Sequence, residues 1–271
     1  MKCMLMRFAN REEWERLPAT ERDRRLAHHQ QVLQELIAER ALVGAGRATS
    51  GPAAGSFVLT SVELEPDSTT ITLRRRNGKH LTASGPFSEA GEMLGGFDLV
   101  EFASRADAIE FAKKSTPDDG AVTEIRPVRE SWWAYHGPAS SNDKKFMLLL
   151  VADEAAIAAR SPDEVDCIVH EHQLVGLEYS GQKGVLRGES LSFSSARLYP
   201  TVEASTLKRN NGKQYLSDGP YAETKEVLAG YMLIDCASEQ EAVEWAKKLG
   251  PRDGDTVEIR PVRSMWSIYY G

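Results

Sequence analysis

The chain carries one sequence pattern twice. Residues Ser84–Gly137 align without a gap on Asp218–Gly271 at an offset of 134, and 26 of those 54 positions are identical. Nearer the start of each copy the offset is 143, because the first copy has 143 − 134 = 9 extra residues within Ala48–Ser56. Two copies of about 130 residues predict a tandem pair of similar domains and exclude a solenoid of many short repeats.

The length of 271 residues suits two domains, each large enough to bury its own core. A small, polar, turn-prone stretch separates the copies. We therefore predict a first domain at 1–137, a linker at 138–143 and a second domain at 144–271. The two copies are called the first and the second repeat below.

Composition argues against several classes of partner. A net charge of −7 is unlike the basic surface that nucleic-acid binding requires. The longest apolar run, Phe146–Ala152, is too short to span a bilayer, and the N-terminus lacks the apolar core of a signal peptide. Cys3, Cys167 and Cys236 fall at non-equivalent repeat positions, which is typical of a reducing compartment. The sequence predicts a soluble cytoplasmic protein that binds neither nucleic acid nor membrane.

Each repeat has the pattern of strands and helices β-α-β-β-α-β. An Asn-Gly pair in each repeat, Asn77-Gly78 and Asn211-Gly212, favours a tight type I′ hairpin turn. Helix starts are predicted at Thr20, Ser104, Ser161 and Ser238. The predicted strands around them include Cys3–Phe8, Gly96–Phe102 and Thr123–Val128, then Phe146–Val151, Gly230–Cys236 and Val257–Val262.

This order is that of an α+β, ferredoxin-like unit, in which helices cover one face of an antiparallel sheet. The bare apolar face of such a sheet needs a partner. The sequence therefore predicts two tandem ferredoxin-like domains packed sheet to sheet as an intramolecular dimeric α/β-barrel. The chain would be a pseudo-dimer by itself, with further homodimerisation open.

The segment from Asp218 to Tyr231, DGPYAETKEVLAGY, together with Glu258-Ile-Arg-Pro-Val, resembles the DGPF branch of the YCII-related family. The resemblance covers both repeats and implies the dimeric barrel. A His/Asp pair has been proposed as the active site of that family, and one branch resembles a dehydrochlorinase acting on a chlorinated hydroxyquinol. Some DGPF relatives are associated with extracytoplasmic-function sigma factors, which implies a regulatory alternative.

The first repeat departs from this motif. It has Ser84 where the second has Asp218, and Gly91 where the second has Lys225. If the aspartate is functional, the resemblance implies that the second repeat holds the working site.

His29 and His172 are equivalent, and each falls on the apolar stripe of its helix. Such a ring is either a core histidine satisfied by a carbonyl group or a general base beside a small pocket. The motif implies Asp218 as its carboxylate partner, although Asp-Gly-Pro is also ordinary turn chemistry. The predicted catalytic residues are His172, Asp218 and His29.

Arg126 and Arg260 precede a proline at the end of a strand. They are candidates for binding a substrate carboxylate, and the alternative is a structural ion pair. His170-Glu171-His172 lacks the spacing of the HExxH zinc motif, and no phosphate-binding glycine motif occurs. We expect no metal and no cofactor.

Three functions remain open from the sequence. The first is binding of a small organic acid or cyclic metabolite, with His/Asp acid-base chemistry of a lyase or isomerase type. The second is a non-catalytic regulatory or interaction module, linked to a sigma factor by the family resemblance alone. The third is a structural pseudo-dimer whose motifs serve packing.

Overall fold

The computed structural model describes residues 1–45, 57–86, 92–118, 120–136, 143–183, 190–222 and 224–270. The predicted insertion at Ala48–Ser56 and all but Asp143 of the predicted linker lie outside these residues. The fold is α+β, with a mostly antiparallel sheet and few helices. None of the described helices is both long and apolar enough to cross a membrane.

The described part of the first repeat contains six strands and three helices. The strands are β1 (Lys2–Asn10), β2 (Phe57–Leu64), β3 (Ile71–Arg76), β4 (Lys79–Ser84), β5 (Glu92–Glu101) and β6 (Val122–His136). The helices are α1 (Arg11–Arg16), α2 (Ala19–Ala45) and α3 (Arg105–Ser115).

The second repeat has the same elements in the same order. Its strands are β7 (Lys144–Asp153), β8 (Ser190–Leu198), β9 (Ser205–Asn210), β10 (Lys213–Asp218), β11 (Glu226–Cys236) and β12 (Thr256–Tyr270). Its helices are α4 (Glu154–Ala158), α5 (Pro162–Lys183) and α6 (Glu239–Lys248). A short 3-10 turn precedes β3 and β9, at Asp67–Thr69 and Thr201–Glu203.

Eight of the strands close into a barrel. Their order is β1-β5-β2-β12-β7-β11-β8-β6, and β6 pairs back with β1. Each repeat supplies four neighbouring strands, and the repeats join where β2 meets β12 and where β8 meets β6.

The long strands β6 and β12 each pass from one repeat to the other. The first half of β6 pairs with β1 of its own repeat, and its second half, from Val128, pairs with β8. β12 does the same with β7 and then, from Val262, with β2. The second halves of these strands include the aromatic-rich segments Trp132–Tyr135 and Trp266–Tyr270 at the end of each repeat.

A hairpin of each repeat also packs on the other repeat. β3 and β4 extend the sheet from β12, whereas β9 and β10 extend it from β6. The Asn-Gly turns are confirmed, since Asn77 and Asn211 have φ angles of 51° and 50°. Strands β2 and β8, which complete the barrel, were not predicted.

Alternation along the strands divides the core into three clusters. In β1, Met4 and Met6 face the barrel interior, where side chains of both repeats meet. Cys3 and Leu5 face the opposite side, which α2 and α3 cover. The second repeat has the equivalent outer cluster beneath α5 and α6.

Side-chain caps start three of the helices as predicted. Ser161 and Glu164 form a capping box of two reciprocal hydrogen bonds. Glu164 N donates to Ser161 Oγ at 3.3 Å, and Ser161 N donates to Glu164 Oε2 at 2.8 Å. Ser104 and Ser238 cap α3 and α6. The cap predicted at Thr20 was wrong by two residues, because α2 begins at Ala19 and the preceding residue is Pro18.

Candidate functional site

Both equivalent histidines lie beneath the long helix of their repeat, between that helix and the outer face of the sheet. His29 of α2 is 6% exposed, and His172 of α5 is half-buried. The sequence had two histidines on two apolar stripes, and the structure gives them different neighbours.

In the first repeat His29 contacts a buried carboxylate. His29 Nε2 lies 3.2 Å from Oδ1 of Asp98, which is on β5 and 1% exposed. An ionised carboxylate only accepts hydrogen bonds, so His29 Nε2 is the donor. His29 Nδ1 has no hydrogen-bond partner among the described residues.

Arg7 of β1 neutralises this carboxylate. Its Nη1 lies 2.7 Å from the other oxygen of Asp98. Burial by itself raises the pKa of Asp98, but Arg7, followed by His29, more than offsets burial and holds that pKa well below its usual range. Asp98 is therefore ionised at neutral pH, and the His29 ring faces a carboxylate.

Glu63 of β2 completes this group, which we call the buried ion network (Arg7, His29, Glu63 and Asp98). Arg7 Nη2 lies 3.5 Å from Glu63 and donates to the Val62 carbonyl at 3.2 Å. Burial raises the pKa of Glu63 despite the charge of Arg7. The guanidinium is thus shared between two carboxylates beneath α2.

The equivalent positions of the second repeat are mostly apolar. Leu150 replaces Arg7, and Met232 replaces Asp98, while the position of Glu63 is taken by Arg197. His172 therefore has no aspartate of its own strand to meet.

At this place the second repeat has a cavity of about 600 Å³. Its walls come from α5, β7, β8 and β11, and include Leu150, Ile168 and Phe193. The first repeat adds Arg126, Arg129 and Trp132 from β6. The cavity is therefore built from both repeats, and its size is that of a small-molecule site.

His172 lines this cavity. Its Nε2 donates to the carbonyl of Leu249 at 3.1 Å, which fixes the neutral tautomer because a carbonyl oxygen can only accept. Burial lowers the pKa of His172, and the bond to Leu249 only partly opposes this. The ring is neutral near pH 7, and its Nδ1 lone pair is able to take a proton.

Asp218 does not meet His172. It ends β10, its side chain is 95% exposed, and its Oδ1 lies 3.1 Å from Arg105 of the first repeat. The predicted orientation of His172 by Asp218 is not what this geometry provides. The backbone carbonyl of Leu249 orients the His172 ring instead.

The loop after Asp218 docks on the first repeat. Tyr221 N donates to Glu124 at 3.0 Å, and the Tyr221 hydroxyl donates to Glu92 at 2.6 Å. The Tyr221 ring also packs on Phe8, with 5.5 Å between ring centroids. In the described residues, the Asp-Gly-Pro-Tyr segment therefore holds the two repeats together.

The two predicted arginines differ in their pairing. Arg126 lines the cavity, but it pairs with Glu124 and donates to the Leu228 carbonyl at 2.7 Å. Arg260 is 2% exposed and does not line the cavity. Its Nε and Nη2 have no hydrogen-bond partner among the described residues, and burial lowers its pKa.

Sequence reasoning missed Asp98, Arg7 and Glu63. A signal for Asp98 existed, because it is the one carboxylate inside the apolar run Gly96–Val100, where the second repeat has Met232. A charge in such a strand needs a buried partner. Within the described part of the chain, no group of three or more His, Cys, Asp or Glu residues is arranged to hold a metal ion.

Comparison with known proteins agrees with the duplication. The sequence profile of the YCII-related domain matches residues 1–132 and again residues 145–266. The chain is also 36% identical over 121 residues to an uncharacterised protein of Rhizobium meliloti (strain 1021). That alignment covers 90% of the relative and 43% of this chain, so the relative is about as long as one repeat.

Proposed function

The chain belongs to the YCII-related family and carries its domain twice, and from this premise we propose that it binds a small organic acid or cyclic metabolite in the cavity of the second repeat. The observation that carries the proposal is the cavity of about 600 Å³ with His172 in its wall. Ligand sites are concave and mostly apolar, with a few polar groups that fix orientation. This cavity has that composition.

His172 is the acid-base candidate of this site. Because burial lowers its pKa, the imidazole is unprotonated near neutral pH and is available as the general base that a lyase or isomerase step requires. The Leu249 carbonyl holds the ring in one tautomer. Asp218 has no part in this proposal, since its carboxylate is exposed and pairs with Arg105.

The His29–Asp98 pair supports a second candidate, acid-base chemistry in the first repeat. The 3.2 Å contact and the unpartnered Nδ1 match a base held by a carboxylate. Burial of His29 beneath α2 and the occupation of the space by Arg7 weigh against substrate access. The second repeat is therefore the primary site.

We further propose that each repeat is a ferredoxin-like unit and that the barrel derives from a homodimer of one-repeat proteins. The length of the Rhizobium relative supports this origin. So does the strand order, in which each repeat supplies four neighbouring barrel strands.

A thermal-shift panel of organic acids, phenols and lactones tests the function. It is run on the wild type, His172→Ala and His29→Ala, since a ligand that binds only the folded state raises the melting temperature. We expect a hit that His172→Ala abolishes and His29→Ala keeps. The opposite pattern moves the site to the first repeat. A wild type that no compound shifts contradicts the proposal and favours the regulatory alternative, for which capture of a protein partner is the next measurement.

A further inference from the structure

Most charged groups in the cavity wall already have an ion-pair or hydrogen-bond partner. Five arginines and two carboxylates line the cavity. The paired groups are Arg126 with Glu124, Arg160 with Asp255, Arg252 with Glu171, and Glu154 with the backbone and hydroxyl of Thr201. Among the charged side chains of the described cavity wall, Arg129 and Arg197 remain, and both retain hydrogen-bond donors for a ligand.

Arg197 is the more enclosed of the two. Its side chain is 25% exposed, and its nearest carboxylate, Glu130, lies 3.6 Å away. The guanidinium donates no hydrogen bond to any described residue. Burial, followed by the charge of Arg129, lowers the pKa of Arg197. A half-buried guanidinium with free donors favours a planar anion that accepts two parallel hydrogen bonds.

Arg129 comes from the first repeat and lies at the same end of the cavity. Its Cζ is 5.5 Å from the ring centroid of Tyr199, and it donates no hydrogen bond to a described residue. Two guanidinium groups near each other repel, and an anion between them removes that cost.

The first repeat provides an internal control for this charge. The position equivalent to Arg197 is Glu63, which lies 3.5 Å from Arg7. The position equivalent to Arg7 is Leu150. The second repeat has therefore exchanged a carboxylate for a guanidinium and removed the cation beside it. Arg197 lines the cavity, and its nearest carboxylate is that of Glu130 on the neighbouring strand, at 3.6 Å.

The walls near these arginines are aromatic. Trp132 is 37% exposed, Tyr199 is 39% exposed, and Phe193 lies deeper at 6%. All three line the cavity. Aromatic side chains pack well on flat rings, by stacking or edge to face.

We propose that the cavity recognises an aromatic carboxylate, with the carboxylate held by Arg197 and Arg129 and the ring lying among Trp132, Tyr199 and Phe193. This inference rests on the proposed function and specifies its ligand class. The chain would bind one such molecule, because the first repeat has Glu63 and Arg7 at the matching place.

Calorimetric titration of the full chain with 2-naphthoate and with its neutral amide, 2-naphthamide, tests this. A pair of charge-assisted hydrogen bonds predicts that the wild type binds the carboxylate about tenfold more tightly than the amide, at one molecule per chain. Arg197→Gln should lower the affinity for naphthoate about tenfold and leave that for the amide unchanged. Arg263→Gln, at the position equivalent to Arg129 and outside the cavity, is the matched control and should change neither.

Equal affinity of the wild type for acid and amide overturns the carboxylate assignment without any variant, and leaves small-molecule binding intact. Binding that Arg197→Gln does not weaken removes Arg197 from the site. Failure of the wild type to bind either compound, while another class from the thermal-shift panel binds, refutes the aromatic carboxylate alone. Failure of the whole panel removes the proposed function as well.

Discussion

The first and second repeats differ in what occupies the space between the long helix and the sheet. Each must fill the space between its long helix and its sheet around an equivalent histidine. The first repeat fills it with the buried ion network around Asp98 and Arg7. The second has Met232 and Leu150 at those positions and retains a cavity. Two sequences related by duplication have thus given a closed site and an open one.

The comparison separates the motif from the chemistry. The intact Asp-Gly-Pro-Tyr motif belongs to the second repeat, but its side chains and backbone contact the first. The buried histidine–carboxylate pair belongs to the first repeat, whose motif is altered. In this protein the intact motif therefore indicates how the two repeats contact each other.

The largest expected effect comes from breaking the ion network. Arg7→Leu leaves Asp98 and Glu63 buried without their cation, and should lower the free energy of unfolding by about 3–5 kcal/mol. Arg7→Leu with Asp98→Met, the pair present in the second repeat, should recover much of that loss, because apolar side chains replace a buried ion pair well. Urea unfolding of the three proteins measures both values. Equal losses in the single and double variants would contradict the pairing.

A smaller effect should follow from closing the open site. A Cβ at Gly176 would lie 2.9 Å from Cζ of Phe193. Gly176→Leu, which introduces the equivalent residue Leu33, should cost about 2 kcal/mol through overpacking. Adding Phe193→Leu should recover most of it. The control on the same helix is Gly181→Ala, which meets no atom within 4 Å and should stabilise by about 0.5–1 kcal/mol. A harmless Gly176→Leu would show that α5 shifts freely.

Two carboxyl groups of the buried ion network, Asp98 and Glu63, should give pH dependences of stability with opposite sign. The pKa of Asp98 is lowered in the folded state, so its contribution is present above the unfolded value of about 3.9 and is lost as pH falls through the folded pKa. Glu63 has the opposite sign. Its raised pKa gives stability below the unfolded value of about 4.3, which is lost as pH rises through the folded pKa.

Thermal unfolding between about pH 5 and pH 3 measures this difference, which should be on the order of 1 kcal/mol. Acidification should destabilise the wild type more steeply than Arg7→Leu/Asp98→Met, which lacks the Asp98 carboxyl. Glu63→Gln should be steeper than the wild type. Parallel profiles for all three proteins would remove both carboxyl groups from the explanation.

The smallest effect is expected at Asp218. Asp218→Ser, which gives the second repeat the residue of the first, removes an exposed ion pair and should change stability by less than about 0.5 kcal/mol. Ligand affinity should not change. The reciprocal Ser84→Asp is its control. A large loss of affinity in Asp218→Ser would restore Asp218 to the site.

Local signals predicted the parts of the fold that depend on neighbours in sequence. The Asn-Gly turns and the serine caps follow from backbone preferences within four residues. Strands β2 and β8 were missed because serine, threonine and charged residues interrupt their apolar pattern. The crossing of β6 and β12 between repeats depends on pairing across the whole chain, which periodicity does not encode.

For the candidate site too, the sequence predicted the residues with a local signal and missed the long-range contacts. The histidines were found because they are polar residues on apolar stripes. The partner of His29 was not found, because Asp98 lies 69 residues away and meets it only through strand register and helix placement. The cavity depends on Arg129 and Trp132 from the other repeat, a contact that no single repeat reveals.

The continuity of β6 and β12 has a consequence for how the molecule can come apart. Each strand begins in the sheet of one repeat and ends beside a strand of the other. A chain nicked between residues 137 and 142 would therefore give two fragments that complement each other, as the halves of a split reporter do. Loss of either fragment would leave its companion without a sheet neighbour along half of a long strand.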